Sequence, residues 1–247
     1  ALQVLAVVGD GASAVREALA QRPDVLFFDI RMPGQDGLAA AAELAHKLHG
    51  ISAADFTQCF NDARAELKAR LGPVAASHSR LLYFQRTIER AGFASQPFAV
   101  LQLEQAFWRA YLDAAVLFPH ALDFLDDLRI AGVPAVIVTD LTAQIQLRKM
   151  ILLGIDKMVD WLVTSEESGA DKPAALGFEL ALAKLGGVEG PVWFIGDSID
   201  GDMAGAKAAI DAVTLLKVER GAVSHPAVDA SFSDFAALRR LFARTSL

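Results

Sequence analysis

The sequence predicts an α/β protein, a doubly wound parallel sheet with an inserted all-helical segment. Three observations predict it. Apolar runs such as Ala135 to Val138 and Val192 to Ile195 show no polar alternation, the pattern of parallel strands covered by helices on both faces. These runs alternate with helical patterns, as β–α–β units require. Between about Leu38 and Val116 the strand signals stop and alanine-rich helical periodicity takes over. With 247 residues, 53% of them hydrophobic and only 9 prolines, the chain is too apolar for a disordered or collagen-like protein. It is long enough to bury a sizeable core, as one large domain or a core plus a smaller one.

Taken in order, Val4 to Val8 reads as a strand ended by Gly9-Asp10-Gly11, with a helix from about Ser13 to Ala20. Asp24 to Asp29 is a second buried strand, bounded by Pro23 and by Pro33-Gly34. Helical segments follow at 38–48, 53–71, 75–91 and 102–116, punctuated by Gly72-Pro73 and by Gly92 to Pro97. A helix from Pro119 to Ile130 is closed by Gly132. Then come strand Ala135 to Val138, helix Thr142 to Leu153, strand Trp161 to Thr164, and helix Pro173 to Leu185 with proline at its first position. Strand Val192 to Ile195, helix Met203 to Ile210, strand Ala212 to Lys217 and helix Phe232 to Phe242 complete the alternation. The expected organisation is an α/β core from residues 1–45 and 117–247, with 46–116 as a helical cap.

Composition narrows the function classes. No apolar run approaches the ~20 residues of a membrane span. A net charge of −7 disfavours nucleic acid, whose phosphates are bound by clustered Lys and Arg. A single cysteine, Cys59, precludes a disulfide within the chain and fits a reducing cytoplasm, and Ala1 to Ala6 lack the basic start of a secretory signal. The expectation is a cytoplasmic protein with no nucleic-acid or membrane partner, either a monomer or a homodimer built through the alanine-rich helices. Cys59 reads as a buried small apolar residue.

In an open α/β sheet, ligands bind beyond the carboxyl ends of the strands. Standing there are Asp29, Thr139 with Asp140, and Asp197 with Asp200 and Asp202 in the following loop; Lys172 precedes a helix. Grouped carboxylates call for a hard cation such as Mg²⁺. A metal-held phosphoryl group also wants a lysine and a small hydroxyl donor for its outer oxygens, and a carboxylate facing phosphorus can act as nucleophile. Gly9-Asp10-Gly11 lacks the third glycine of a dinucleotide fingerprint and reads as a plain turn. Asp140 and Asp200 read first as loop or capping carboxylates, with phosphate binding the functional alternative for Asp140. Phe107, Trp108, Tyr111 and Leu112 read as packing of the helical segment, and His78, Arg80 and Tyr83 as packing or surface residues that could instead meet substrate.

These motifs resemble the haloacid dehalogenase superfamily, whose four motifs occur in order: Leu26-Phe27-Phe28-Asp29, Val136-Ile137-Val138-Thr139, Gly169-Ala170-Asp171-Lys172-Pro173, and Phe194-Ile195-Gly196-Asp197-Ser198 with Asp202 to Lys207 behind it. The resemblance runs from about His46 to Lys217 and is of the phosphatase type, with a Rossmann-like core and helical cap. It implies that Asp29 attacks phosphorus to form an aspartyl-phosphate and that Thr139 and Lys172 hold the phosphoryl oxygens. It further implies Mg²⁺ bound by Asp29, the Arg31 carbonyl and Asp197, with Asp202 supporting the metal or Lys172. The substrate it implies is a small phosphorylated metabolite.

One position departs from that pattern. Family phosphatases carry a second aspartate two residues after the nucleophile, as general acid and base; here it is Arg31, and Pro33 stands where a threonine is expected. Arginine does not deprotonate, and losing a general acid–base costs about 10²–10⁴ in rate. Arg31 either pairs with the carboxylates or points toward the cap. The stretch Pro23 to Gly37 also resembles the phosphoacceptor segment of a response-regulator receiver domain, with Val4 to Ala20 like the elements before it; this likeness covers about residues 2–45. The chain thus reads as a receiver fragment joined to a dehalogenase-like cap and core, a pattern that a natural fusion, an engineered chimera or a misassembly would each give. The leading expectation is a Mg²⁺-dependent phosphohydrolase weakened by Arg31. The alternatives are a phosphoacceptor without turnover and a metal-independent dehalogenase.

Overall fold

Apolar side chains on both faces of a strand demand cover on both faces, and the core strands meet that demand. The computed structural model describes residues 3–4, 23–28, 36–188 and 190–245. It divides into two compact units, Ala1–Arg31 with Leu117–Leu247, and Met32–Val116. The sequence reading carried the first segment to residue 45.

In the first unit, strands β1 (Gln3–Val4), β2 (Val25–Phe28), β3 (Ala135–Thr139), β4 (Trp161–Thr164), β5 (Val192–Gly196), β6 (Val213–Lys217) and β7 (Ala230–Phe232) form one sheet. Its order is β1-β7-β6-β5-β2-β3-β4. All neighbours are parallel except β1, which runs antiparallel to β7. The fold is the α/β class expected. Every residue of β3 and of β5 is buried, which explains their uninterrupted apolar character. Between them lies β2, where Phe28 pairs with Ile137 on one side and Ile195 on the other. The expected first strand appears as the Gln3–Val4 pairing at a sheet margin; its continuation and the helix after it fall outside the described residues.

Several boundaries differ from the sequence reading for identifiable reasons. β7 was not expected, because three residues carry too little periodicity to register. The last helix starts at Phe235, where the Asp234 carboxylate accepts from the Ala237 amide 2.7 Å away and caps it. The helix expected from Pro173 begins at Ala175 instead, after a cis Lys172–Pro173 peptide. The helix expected from Met203 is preceded by a π-helical turn, Ile199–Met203, whose Asp202 and Met203 side chains are buried.

The second unit, among its described residues, is entirely helical: α1 (Asp36–His49), α2 (Ala53–Leu71), a 3₁₀ turn (Ala75–His78), α3 (Arg80–Arg90) and α4 (Pro97–Asp113). The segment read as one helix over 75–91 breaks at Ser79, whose hydroxyl accepts from the Leu82 amide as N-cap of α3. α4 starts at Pro97, a proline suited to the first helical turn, rather than at 102. Phe56, Phe60, Tyr83, Phe84, Phe107 and Trp108 form the core of this unit. The Phe60–Tyr83 and Phe107–Trp108 pairs meet edge to face, with centroids 5.7 and 5.1 Å apart. Cys59 is half-buried rather than part of this core. The helices that follow in the first unit are α5 (Ala121–Ile130), α6 (Ala143–Leu152), α7 (Ser165–Ser168), α8 (Ala175–Lys184), α9 (Ala204–Ile210) and α10 (Phe235–Phe242), and no helix among the described residues is long and apolar enough to cross a membrane.

Candidate active site

The carboxyl ends of β3 and β5, flanking β2, carry the residues that sequence spacing singled out. β3 ends at Thr139, whose side chain is buried. Its Oγ1 accepts a hydrogen bond from the Gln146 Nε2, 2.8 Å away. Gln146 lies on α6 (Ala143–Leu152) and also donates to the Asp140 carbonyl at 3.0 Å. The Thr139 hydroxyl in turn donates to the Asp140 carbonyl, a longer contact of 3.4 Å. Leu141, next along, adopts φ of 118°, a region costly for any residue with a side chain, and its amide is pinned by the Ser165 Oγ at 3.0 Å. The Glu166 carboxylate accepts from the Ala143 amide at 2.8 Å and caps α6.

Lys172 reaches this edge from the loop before α8 (Ala175–Lys184). Its Nζ donates to the Val138 carbonyl at 3.1 Å and pairs with Asp202 Oδ1 at 2.7 Å. The two side chains are only 4% and 2% exposed, so this is a buried ion pair. Val138 belongs to β3 and Asp202 follows β5, so the ammonium reaches across the end of the strand between them, β2. The other oxygen of Asp202 accepts from the Asp197 and Ser198 amides, both at 3.1 Å. A buried carboxylate held by one ammonium and two N–H groups is fixed in place. Gly196 makes room for it: a Cβ there would run into the Asp202 carboxylate.

Asp140 turns its carboxylate onto the backbone, its Oδ1 accepting from the Lys172 amide at 2.9 Å. This bond ties the lysine loop to the end of β3. The Asp197 and Asp200 side chains are exposed at the end of β5 and in the turn beyond. Asp29 and Arg31 lie outside the described residues; Asp29 is the residue that follows Phe28 in the chain. Among the described residues, no three His, Cys, Asp or Glu side chains are grouped to hold a metal. Both Asp202 oxygens are engaged, and Asp197 and Asp200 are the exposed carboxylates of the β5 turn. One or two carboxylates completed by water and phosphate oxygens is the donor set Mg²⁺ takes, and the exposed carboxylates of this turn are of that chemistry.

Sequence reasoning missed Gln146, Ser165 and Glu166. Gln146 left a signal: it stands one turn before buried Met150, an amide in a stripe where periodicity calls for apolar residues.

An α/β sheet with a hydroxyl, a lysine and carboxylates at the carboxyl ends of its central strands defines a class of phosphoryl- or acyl-transferring hydrolase. Residues 5–209 match the haloacid dehalogenase-like hydrolase family, and the chain belongs to that family. Among curated relatives, it is 40% identical over 175 residues to ribulose-1,5-bisphosphate 5-phosphatase of Halopiger xanaduensis, covering 70% of this chain and 73% of that one. The receiver-like stretch has short partial relatives; protein-glutamate methylesterase/protein-glutamine glutaminase 5 of Geobacter metallireducens is 47% identical over 47 residues, 19% of this chain and 13% of that one. In fold, the chain resembles the 2-haloacid dehalogenase of Pseudomonas syringae pv. Tomato DC3000, with a TM-score of 0.70, 16% identity, and coverage of 90% of this chain and 99% of the other.

Proposed function

We propose that this hydrolase is a cytoplasmic, Mg²⁺-dependent phosphomonoesterase that works through an aspartyl-phosphate on Asp29 and acts on a small phosphorylated metabolite. The observation that carries this reading is the Lys172 ammonium, held between the Val138 carbonyl and Asp202 across the end of β2 and beside Thr139. A fixed cation and a hydroxyl donor are what the equatorial oxygens of a transferring phosphoryl group require. The ribulose-1,5-bisphosphate 5-phosphatase relative supports a sugar-phosphate substrate class.

In this mechanism an Asp29 carboxylate oxygen attacks phosphorus and the bond from phosphorus to the ester oxygen breaks. The alkoxide leaves with a proton from solvent, because Arg31 has none to give at working pH. Water then attacks the phosphorus of the aspartyl-phosphate, releasing inorganic phosphate and restoring Asp29. Thr139 and Lys172 hold the phosphoryl oxygens throughout, while Asp202 keeps Lys172 in place. Mg²⁺ would be held by Asp29, the Arg31 carbonyl and Asp197, and supplies charge neutralisation for the phosphoryl oxygens. The helical unit serves as the cap, and specificity lies in its residues.

The test is hydrolysis of p-nitrophenyl phosphate with Mg²⁺ and with EDTA, beside Asp29→Asn and Arg31→Asp. Turnover that needs Mg²⁺ and vanishes in Asp29→Asn is expected, with Arg31→Asp faster by about 10²-fold or more as a general acid–base is restored. A second reading rests on the receiver-like sequence around Asp29: a phosphoacceptor that takes one phosphoryl group and holds it. Stoichiometric labelling of Asp29 by acetyl phosphate, with no turnover in either the parent chain or Arg31→Asp, would establish that reading instead. Metal-independent halide release from a 2-haloacid would overturn both.

A further inference from the structure

The helical unit contains a cavity of about 970 Å³ that the reaction above does not use. Arg80 lines it, and the surroundings of this guanidinium are unusual for a partly buried cation. The Tyr83, Phe107 and Trp108 rings stand 5.3, 5.2 and 5.4 Å from its central carbon. Such a cage attracts a cation through the ring faces but supplies no acceptor in the guanidinium plane. One donor is satisfied, the Nη1 giving a hydrogen bond to the His78 carbonyl at 2.8 Å. The Nε is buried and has no hydrogen-bond partner, and among the described residues no carboxylate pairs with Arg80.

Arg64 lines the same cavity, so a second cation stands where a counter-charge would be expected. Asn61 and Thr57 add neutral donors to the wall. The one described carboxylate on that wall, Glu43, is already paired with Lys47 at 2.6 Å. Burial pushes the Arg80 guanidinium below the usual arginine value, with Arg64 adding to the effect. Arginine nevertheless stays charged at any physiological pH, so the positive charge persists with a donor unmet. Buried donors are almost always satisfied, and an oxyanion satisfies a guanidinium fork with two strong bonds.

We infer that this cavity is a binding site for the oxyanion of a small molecule, a phosphate or a carboxylate, held by Arg80 against its aromatic cage with Arg64 as the outer cation. The site lies wholly within the helical unit and stands whether or not the reading of the Asp29 centre is correct. Arg80 supplies the directional contact, and Arg64, exposed on the cavity wall, supplies attraction.

The test uses the full chain and follows the Arg80 Nε–H resonance by NMR, assigned by its disappearance in Arg80→Lys. Inorganic phosphate and malonate are titrated separately, with sodium chloride at matched ionic strength as the control. A saturable shift with one of the two oxyanions, weakened about tenfold in Arg64→Met, is expected, and the anion that produces it identifies the chemistry of the ligand. A resonance unmoved by either anion, a shift that chloride reproduces, or an affinity unchanged in Arg64→Met would overturn the proposal. Because the readout sits on Arg80, phosphate bound near Asp29 does not register as success, and an inactive Asp29 centre does not register as failure.

Discussion

Lys172 and Asp202 show how much one buried pair can organise. The ammonium ties together the β3 end, through the Val138 carbonyl, and the turn after β5, through Asp202, while Asp202 gathers the Asp197 and Ser198 amides. Removing one partner leaves the other charge buried and uncompensated, which costs about 3–5 kcal/mol. Lys172→Met and Asp202→Asn should each destabilise by that amount in urea denaturation. The double variant, which removes both charges but keeps an acceptor for the two amides, should cost less than either alone. A double-variant cost equal to the sum of the singles would show that the two charges do not depend on each other. Lys172 and Asp202 were both legible in the sequence because each sits at fixed spacing from a strand end. Gln146 was not, since a lone amide on a helix has no motif and its role appears only once Thr139 is found 2.8 Å away.

At the level of elements, the π-helical turn Ile199–Met203 decides where Asp202 points. Such turns insert one extra residue per hydrogen-bonded ring and cluster at functional sites. No periodicity announces them, which is why a plain helix from Met203 was the natural reading. The turn works only with Gly196 opposite it. Asp202 cannot retreat from an added methyl group while the lysine and two amides hold it, so Gly196→Ala should destabilise by about 1–3 kcal/mol and lower phosphatase turnover as well. Gly201→Ala is the comparison, since its Cβ would meet the Ser198 side chain alone, the Oγ at 3.1 Å and the Cβ at 3.6 Å, and a smaller effect on both measurements is expected. Equal effects would mean that space beside Asp202 is not what Gly196 provides. Strands β3 and β5 were legible almost to the residue because both faces are buried; β7 and the Ser79 break were lost because a three-residue strand and a single cap carry no period.

For the whole molecule, the sheet and its strand-end residues place the chain among haloacid dehalogenase-like hydrolases, while the first 45 residues carry a second likeness that the fold alone does not explain. Metal binding is the property that tests whether the strand-end residues form one working centre. Mg²⁺ at about 100 times its dissociation constant should stabilise the folded chain by about 2.7 kcal/mol, read as a rise in Tm, and Asp197→Asn should abolish the rise. A rise of equal size in Asp197→Asn would place the ion elsewhere. At one margin of the sheet lies β4, four residues long, paired among the described residues only with β3 and carrying a half-exposed Trp161. An unpaired margin of that kind is a template on which a neighbouring chain can add a strand of its own. The brevity of β4 limits how many ladder bonds an intruding strand can make, and the Lys184 ammonium already donates to the Leu162 carbonyl at 2.9 Å, so both oppose fibrillar association here while the aromatic ring at 161 works against them.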